Sequence, residues 1–146
     1  MKKILVATCV VCVLSAPVTA QTKADAQKLF EQYEAKQRDF DATVADLYCD
    51  TAVIDSTRFS PPGEQRATSV PAPRFKEFIA GAMTVAQAKG DYVAYSNVRF
   101  TEEPGGTRIH ADRYSVLSTS TSSVSLLVGS CNGKLAIIEE SSQFQP

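Results

Sequence analysis

The sequence predicts an α+β domain in which three helices pack on one face of a strongly curved, mostly antiparallel sheet. Apolar residues recur at helical spacing in three segments before Gly90, and strand-like segments separated by turn signals fill the chain from Asp91 onward. The pair Asn132-Gly133 marks a tight hairpin between the last two of these segments. Helices grouped early and strands grouped late are the pattern of a domain whose helices cover one side of an antiparallel sheet.

The chain opens with Lys2 and Lys3, an apolar run from Ile4 to Leu14, and the small residues Val18 and Ala20. This is the layout of a secretory signal peptide, residues 1–20, cut after Ala20 to leave 21–146 as the mature domain. The run is too short for a membrane span, which needs about 20 apolar residues. Thr22 and Asp25 then form a capping pattern, and Ala26, Leu29, Phe30 and Tyr33 give a helix over 23–37. Asp39 and Asp41 cap a shorter helix with Val44, Leu47 and Tyr48 on its apolar side. TAVIDST, rich in β-branched residues, reads as a strand. SPPGEQRATSVPAP, from Ser60 to Pro73, reads as a long loop because its prolines and glycine interrupt regular elements. Pro73 suits the first turn of a third helix, Arg74 to Lys89, with Phe75, Phe78, Ile79, Ala82 and Ala86 as its stripe and Gly90 at its end. YVAYSNVRF, TRIHADRYSVLS, SVSLLVGSC and KLAIIEESSQF follow as a meander of strands.

A mature chain of this size is one domain with a single core. Loss of the leader removes two of 15 basic residues and none of 16 acidic ones, moving the net charge from −1 to −3. That disfavours a nucleic-acid partner, which needs a basic face. Cys9 and Cys12 leave with the leader, so Cys49 and Cys131 stand alone in a compartment that oxidises thiols, and one disulfide is the simplest reading. A lone His110 and two distant cysteines lack the clustered spacing of a metal site. Gly129-Ser130 is no nucleophile elbow, and Gly105-Gly106 joins strands rather than opening a helix, so neither a serine hydrolase nor a phosphate-binding cofactor loop is indicated.

Two amphipathic helices followed by LYCDTAVI, a third helix, and a C-terminal SLLVGSCNGKLAIIEESS together resemble the nuclear transport factor 2-like superfamily, which includes ketosteroid isomerases, polyketide cyclases and binding domains without catalysis. The resemblance spans nearly the whole mature chain. It implies a cone-shaped, cystatin-like architecture with a mixed sheet, in which the helices close a bent sheet around an apolar pocket. It also implies that the first strand runs parallel beside the last. The start of the first strand then lies near the Asn132-Gly133 hairpin, and Cys49 pairs with Cys131.

Isomerase chemistry of this superfamily requires a carboxylate base, a tyrosine and a protonated acid facing one pocket. The resemblance places Tyr33, or Gln32 in a shifted register, at the tyrosine's position. It places Ser56 where the base would be, with Asp55 on the other face, and Leu126 or Leu127 where the second acid would be. Hydratases and dehydratases of the superfamily suggest His110 as a base oriented by Asp112. In a strand, however, Arg108, His110, Asp112 and Tyr114 share the more charged face, opposite Ile109, Ala111 and Arg113. That pattern favours a solvated charge ladder over an active site. The reading is therefore a periplasmic or secreted domain that binds a small apolar or amphipathic molecule without catalysis or cofactor. Its pocket is expected to be lined by Phe30, Tyr33, Phe75 and Ile79, with the Ser60–Pro73 segment at the rim. A small lyase or isomerase and a protein-binding module of immunity or inhibitor type are the alternatives. Consecutive apolar residues in Leu126-Leu127-Val128 and Ala136-Ile137-Ile138 further predict a homodimer through the back of the sheet.

Overall fold

The computed structural model describes residues 22–144, so the signal peptide and the cut after Ala20 lie outside the described residues. Helix α1, Lys23–Arg38, starts at a capping box in which the Thr22 and Asp25 side chains each accept from the other's backbone N–H. It buries Ala26, Leu29, Phe30, Tyr33 and Gln37 along one stripe. Asp41 accepts from the Thr43 amide at 2.8 Å and opens a short 3-10 helix, Ala42–Leu47. The sequence suggested that this helix includes Tyr48, but Tyr48 is already extended and begins strand β1, Tyr48–Ser60.

The segment read as a long loop is a hairpin. Pro61, Pro62 and Gly63 form its turn, and strand β2, Glu64–Pro71, pairs antiparallel with β1 from Ser60↔Glu64 to Val53↔Pro71. The prolines sit at the turn and at the strand's end, so Glu64 to Val70 keep every amide the ladder needs. β2 is an edge strand, hydrogen-bonded on one side only, where terminal proline is tolerated. Helix α2, Ala72–Lys89, follows directly with Pro73 in its first turn and Gly90 as a left-handed C-cap at φ 65°.

The chain then forms the expected meander: β3, Val93–Glu103; β4, Gly106–Ser115; β5, Ser120–Cys131; and β6, Lys134–Phe144. The six strands lie in the order β2-β1-β6-β5-β4-β3, with β1 parallel to β6 and every other pair antiparallel. Cys49 in β1 and Cys131 at the end of β5 form a disulfide with Cα atoms 5.9 Å apart. Among the described residues, no helix is long and apolar enough to cross a membrane.

The consecutive apolar residues of β5 and β6 have a local cause. A bulge breaks the register between Leu127↔Glu139 and Val128↔Ile137, leaving Ile138 as the extra residue. Ile137 is fully buried in the core, while Ile138 lies over Gly129, where an added Cβ would come 2.5 Å from Ile138 Cδ1. Leu127 is only 5 % exposed in the single chain. Its cross-strand neighbours Arg108 and Glu139 are joined by an ion pair at 2.8 Å. The row beside it on the outer face, Asp55, Ser141, Ser125 and His110, is polar. Leu127 is thus covered within the chain, whereas Val53, the β1 partner of Glu139 in the same row, is 52 % exposed on that face.

Candidate functional site

A cavity of about 720 Å³ opens between α2 and the concave face of the β2-β1-β6 edge. Cross-strand pairing sorts its sheet wall into three rows, because every second residue of each strand faces inward. Val70, Ile54 and Glu140 form the innermost row; Thr68, Ser56 and Ser142 form the middle; Arg66, Arg58 and Phe144 form the outer one. Phe75, Ile79, Ala82 and Met83 of α2 make the opposite wall, with Arg74 and the 69 % exposed Phe78 also lining it. A volume in the range of about 300–1,000 Å³, apolar walls and a few convergent polar groups are what small-molecule sites have in common.

The inner end carries a polar cluster. Glu140, 8 % exposed, accepts a short hydrogen bond from the Tyr48 hydroxyl. Burial raises the Glu140 carboxyl above its ordinary pKa, against the lowering effects of that hydrogen bond and of the Arg113 charge. Burial, reinforced by the Glu140 charge, also raises the Tyr33 and Tyr48 hydroxyls. Tyr95 donates to Gln37 Oε1 at 2.9 Å, and its oxygen lies 3.4 Å from that of Tyr33. Arg113 enters from β4 opposite Tyr95, and its Nε is buried without a hydrogen-bond partner. A buried donor left unpaired is costly, and such groups in native proteins call for a specific explanation. Chemically, the cluster offers one carboxyl that can hold or release a proton and, at the cavity wall, the Tyr33 hydroxyl and the unpaired Arg113 Nε, which can meet an oxygen of a bound molecule.

Tyr33, Phe75 and Ile79 all line the cavity. Phe30 does not: it lies behind Tyr33, with its ring 5.9 Å from Tyr33 and 6.1 Å from Phe100, as part of the core. Asp55 is exposed, whereas Ser56 lines the cavity. Gln32 is exposed. Leu126 and Leu127 are buried without supplying an acid, yet Leu126 pairs directly with Glu140, so a carboxyl occupies the adjacent strand. His110 is exposed, and Asp112 accepts from Asn97 Nδ2 at 2.6 Å rather than orienting the imidazole. Both lie in a shallow outer-face groove with Asn97, Arg99 and Ser123. Glu140, Arg113, Tyr48, Tyr95 and Gln37 were not singled out from sequence. Gln37 lies one turn beyond Tyr33 on the α1 stripe, and Tyr48, Tyr95 and Arg113 sit on strand faces that alternate, whereas Glu140 follows the β6 bulge that hides its face.

A helical layer on a bent, open, six-stranded mixed sheet with a cavity beneath α2 defines the nuclear transport factor 2-like, cystatin-like fold, and solved structures agree. A nuclear transport factor 2-like protein of unknown function from Pseudomonas putida KT2440 is 12% identical and superposes with a TM-score of 0.61 over 83% of this chain and 84% of its own. A candidate ketosteroid isomerase from Parabacteroides distasonis is 10% identical, with a TM-score of 0.58 over 88% and 91% of the two chains. A candidate dehydratase of the same fold from Streptomyces avermitilis is 6% identical, with a TM-score of 0.53 over 82% and 92%. No family model and no curated protein matches the sequence. At these identities the likeness shows the fold alone.

Proposed function

We propose that this chain is a secreted or periplasmic domain whose cavity binds a small amphipathic molecule. The observation that carries the reading is the buried, unpaired Arg113 Nε beside an apolar cavity of about 720 Å³. A bound oxygen would satisfy that donor, while Phe75, Ile79 and Met83 receive the apolar part. The disulfide supports an oxidising compartment. Protein secreted by its own host and measured by native mass spectrometry is expected to carry a small-molecule adduct. Thr68→Trp, which fills the middle row from the edge strand, should remove it. Adduct-free wild-type protein that also fails to take up alkyl alcohols or acids in titration would end this reading.

Glu140 favours a second reading as a small lyase or isomerase. A carboxyl with a raised pKa at the closed end of an apolar cavity is the group that general acid–base catalysis needs. Structural neighbours include a candidate ketosteroid isomerase and a candidate dehydratase. Under this reading Glu140→Gln abolishes turnover of the bound molecule while leaving the adduct in place. Equal turnover in wild type and variant would exclude Glu140 as the acid or base.

A further inference from the structure

The outer row of the cavity holds cations that form no ion pair among the described residues. Arg58 and Arg66 are direct cross-strand partners, both among the cavity-lining residues. Like charges directly opposite each other destabilise an antiparallel pair. Arg74 lines the same cavity from the first turn of α2, a turn that holds no acid, although a cation at a helix N-terminus opposes the helix dipole. None of the three takes part in the ion pairs formed elsewhere among the described residues. The one acid lining the cavity, Glu140, lies in the innermost row and is held by Tyr48. Three unfavourable placements converge on one opening in a chain whose net charge is −1.

We infer that the ligand is an amphipathic acid: its carboxylate sits among Arg58, Arg66 and Arg74, and its apolar body extends inward past Ser56 and Thr68 toward Phe75, Ile79 and Met83. Guanidinium groups match a carboxylate with paired hydrogen bonds, and a bound anion relieves the repulsion between Arg58 and Arg66. The alternation of β1 and β2 sets the order of these rows, so the acid end faces outward and a neutral oxygen, where the ligand has one, meets Arg113. This assignment rests on reading the cavity as a ligand site.

Calorimetric titration with decanoate, 1-decanol and decylamine tests it. Decanoate should bind at least about tenfold tighter than decanol, decylamine should bind more weakly than either, and added salt should narrow the gap because the arginines are exposed. Arg66→Glu should erase the preference for decanoate while raising the melting temperature, since it converts a repulsive cross-strand pair into an attractive one. A purely structural role for Arg66 predicts the opposite temperature shift. Decanol binding as tightly as decanoate, or a preference unchanged in Arg66→Glu, would overturn the acid assignment and leave the cavity reading standing. If neither compound binds, both fall together. Capture by anionic phosphatidylglycerol vesicles without binding of free decanoate would overturn it in favour of a membrane surface.

Discussion

Glu140 and Arg113 show how a single residue's placement decides what this fold can do. Each sits on a strand face that alternation assigns to the interior, and each brings a polar group there. Because burial raises the Glu140 pKa, the folded chain holds a proton that the unfolded chain releases, so stability contributed by this group is full below the ordinary carboxylate range and is lost as pH rises through the raised value. Urea midpoints measured from pH 4 to 8 should therefore fall for the wild type in that interval, and Glu140→Gln should flatten the fall while still accepting from Tyr48. A variant with the wild-type slope would mean that another group titrates there. Tyr33→Phe removes one hydroxyl from the cluster, and affinity for a ligand that carries a neutral oxygen at its inner end should drop by about 1 kcal/mol, the scale of one neutral hydrogen bond; calorimetric titration with such a ligand reads it. Tyr33, Phe75 and Ile79 were legible because helical stripes announce which side is buried. Glu140 was not, because the Ile138 bulge breaks the alternation just before it, and the adjacent Glu139 and Glu140 look alike until the register is known.

At the scale of elements, patterning located both long helices and the meander, since capping residues and turn pairs act locally. It failed at β2, whose prolines looked like breakers although they sit only at the strand's borders. That strand matters, as it supplies Arg66 and Thr68 to the cavity. The β5–β6 bulge was equally hidden, because a bulge depends on what packs across it. An alanine at Gly129 would place its Cβ 2.5 Å from Ile138 Cδ1 and 2.6 Å from the Gly105 carbonyl oxygen. The Ile138 side chain can yield, but the carbonyl belongs to the β3–β4 turn. Gly129→Ala should cost about 1–3 kcal/mol, the usual range for overpacking. Adding Ile138→Ala should recover only part of it, as measured by chemical denaturation. Full recovery would show that the backbone contact carries no cost.

At the scale of the whole molecule, two halves must be held in register: the helix-hairpin half that supplies most of the cavity wall, and the meander that supplies Arg113. The outer sheet face is polar in most rows but leaves Val53 half exposed beside Glu139, so light scattering is expected to give the mass of one chain; a stable dimer abolished by Val53→Asp would place its contact on that face, and one that survives the change would point to the exposed Phe78 and Val85 of α2. The covalent tie between the halves is Cys49–Cys131, which joins residues 82 apart in sequence. Closing a loop of that length removes entropy from the unfolded chain worth about 4 to 5 kcal/mol in the ideal model, with strain and residual structure lowering what is realised. Replacing both cysteines by serine should therefore lower the urea midpoint, with a stability loss of up to about 4 kcal/mol. The effect should come from the unfolded chain, so folding should slow while the unfolding rate changes little. Equal midpoints for the oxidised wild type and the double variant would show that β1 pairing with β6 alone fixes the two halves; a variant that mainly unfolds faster would place the stabilisation in the folded state instead.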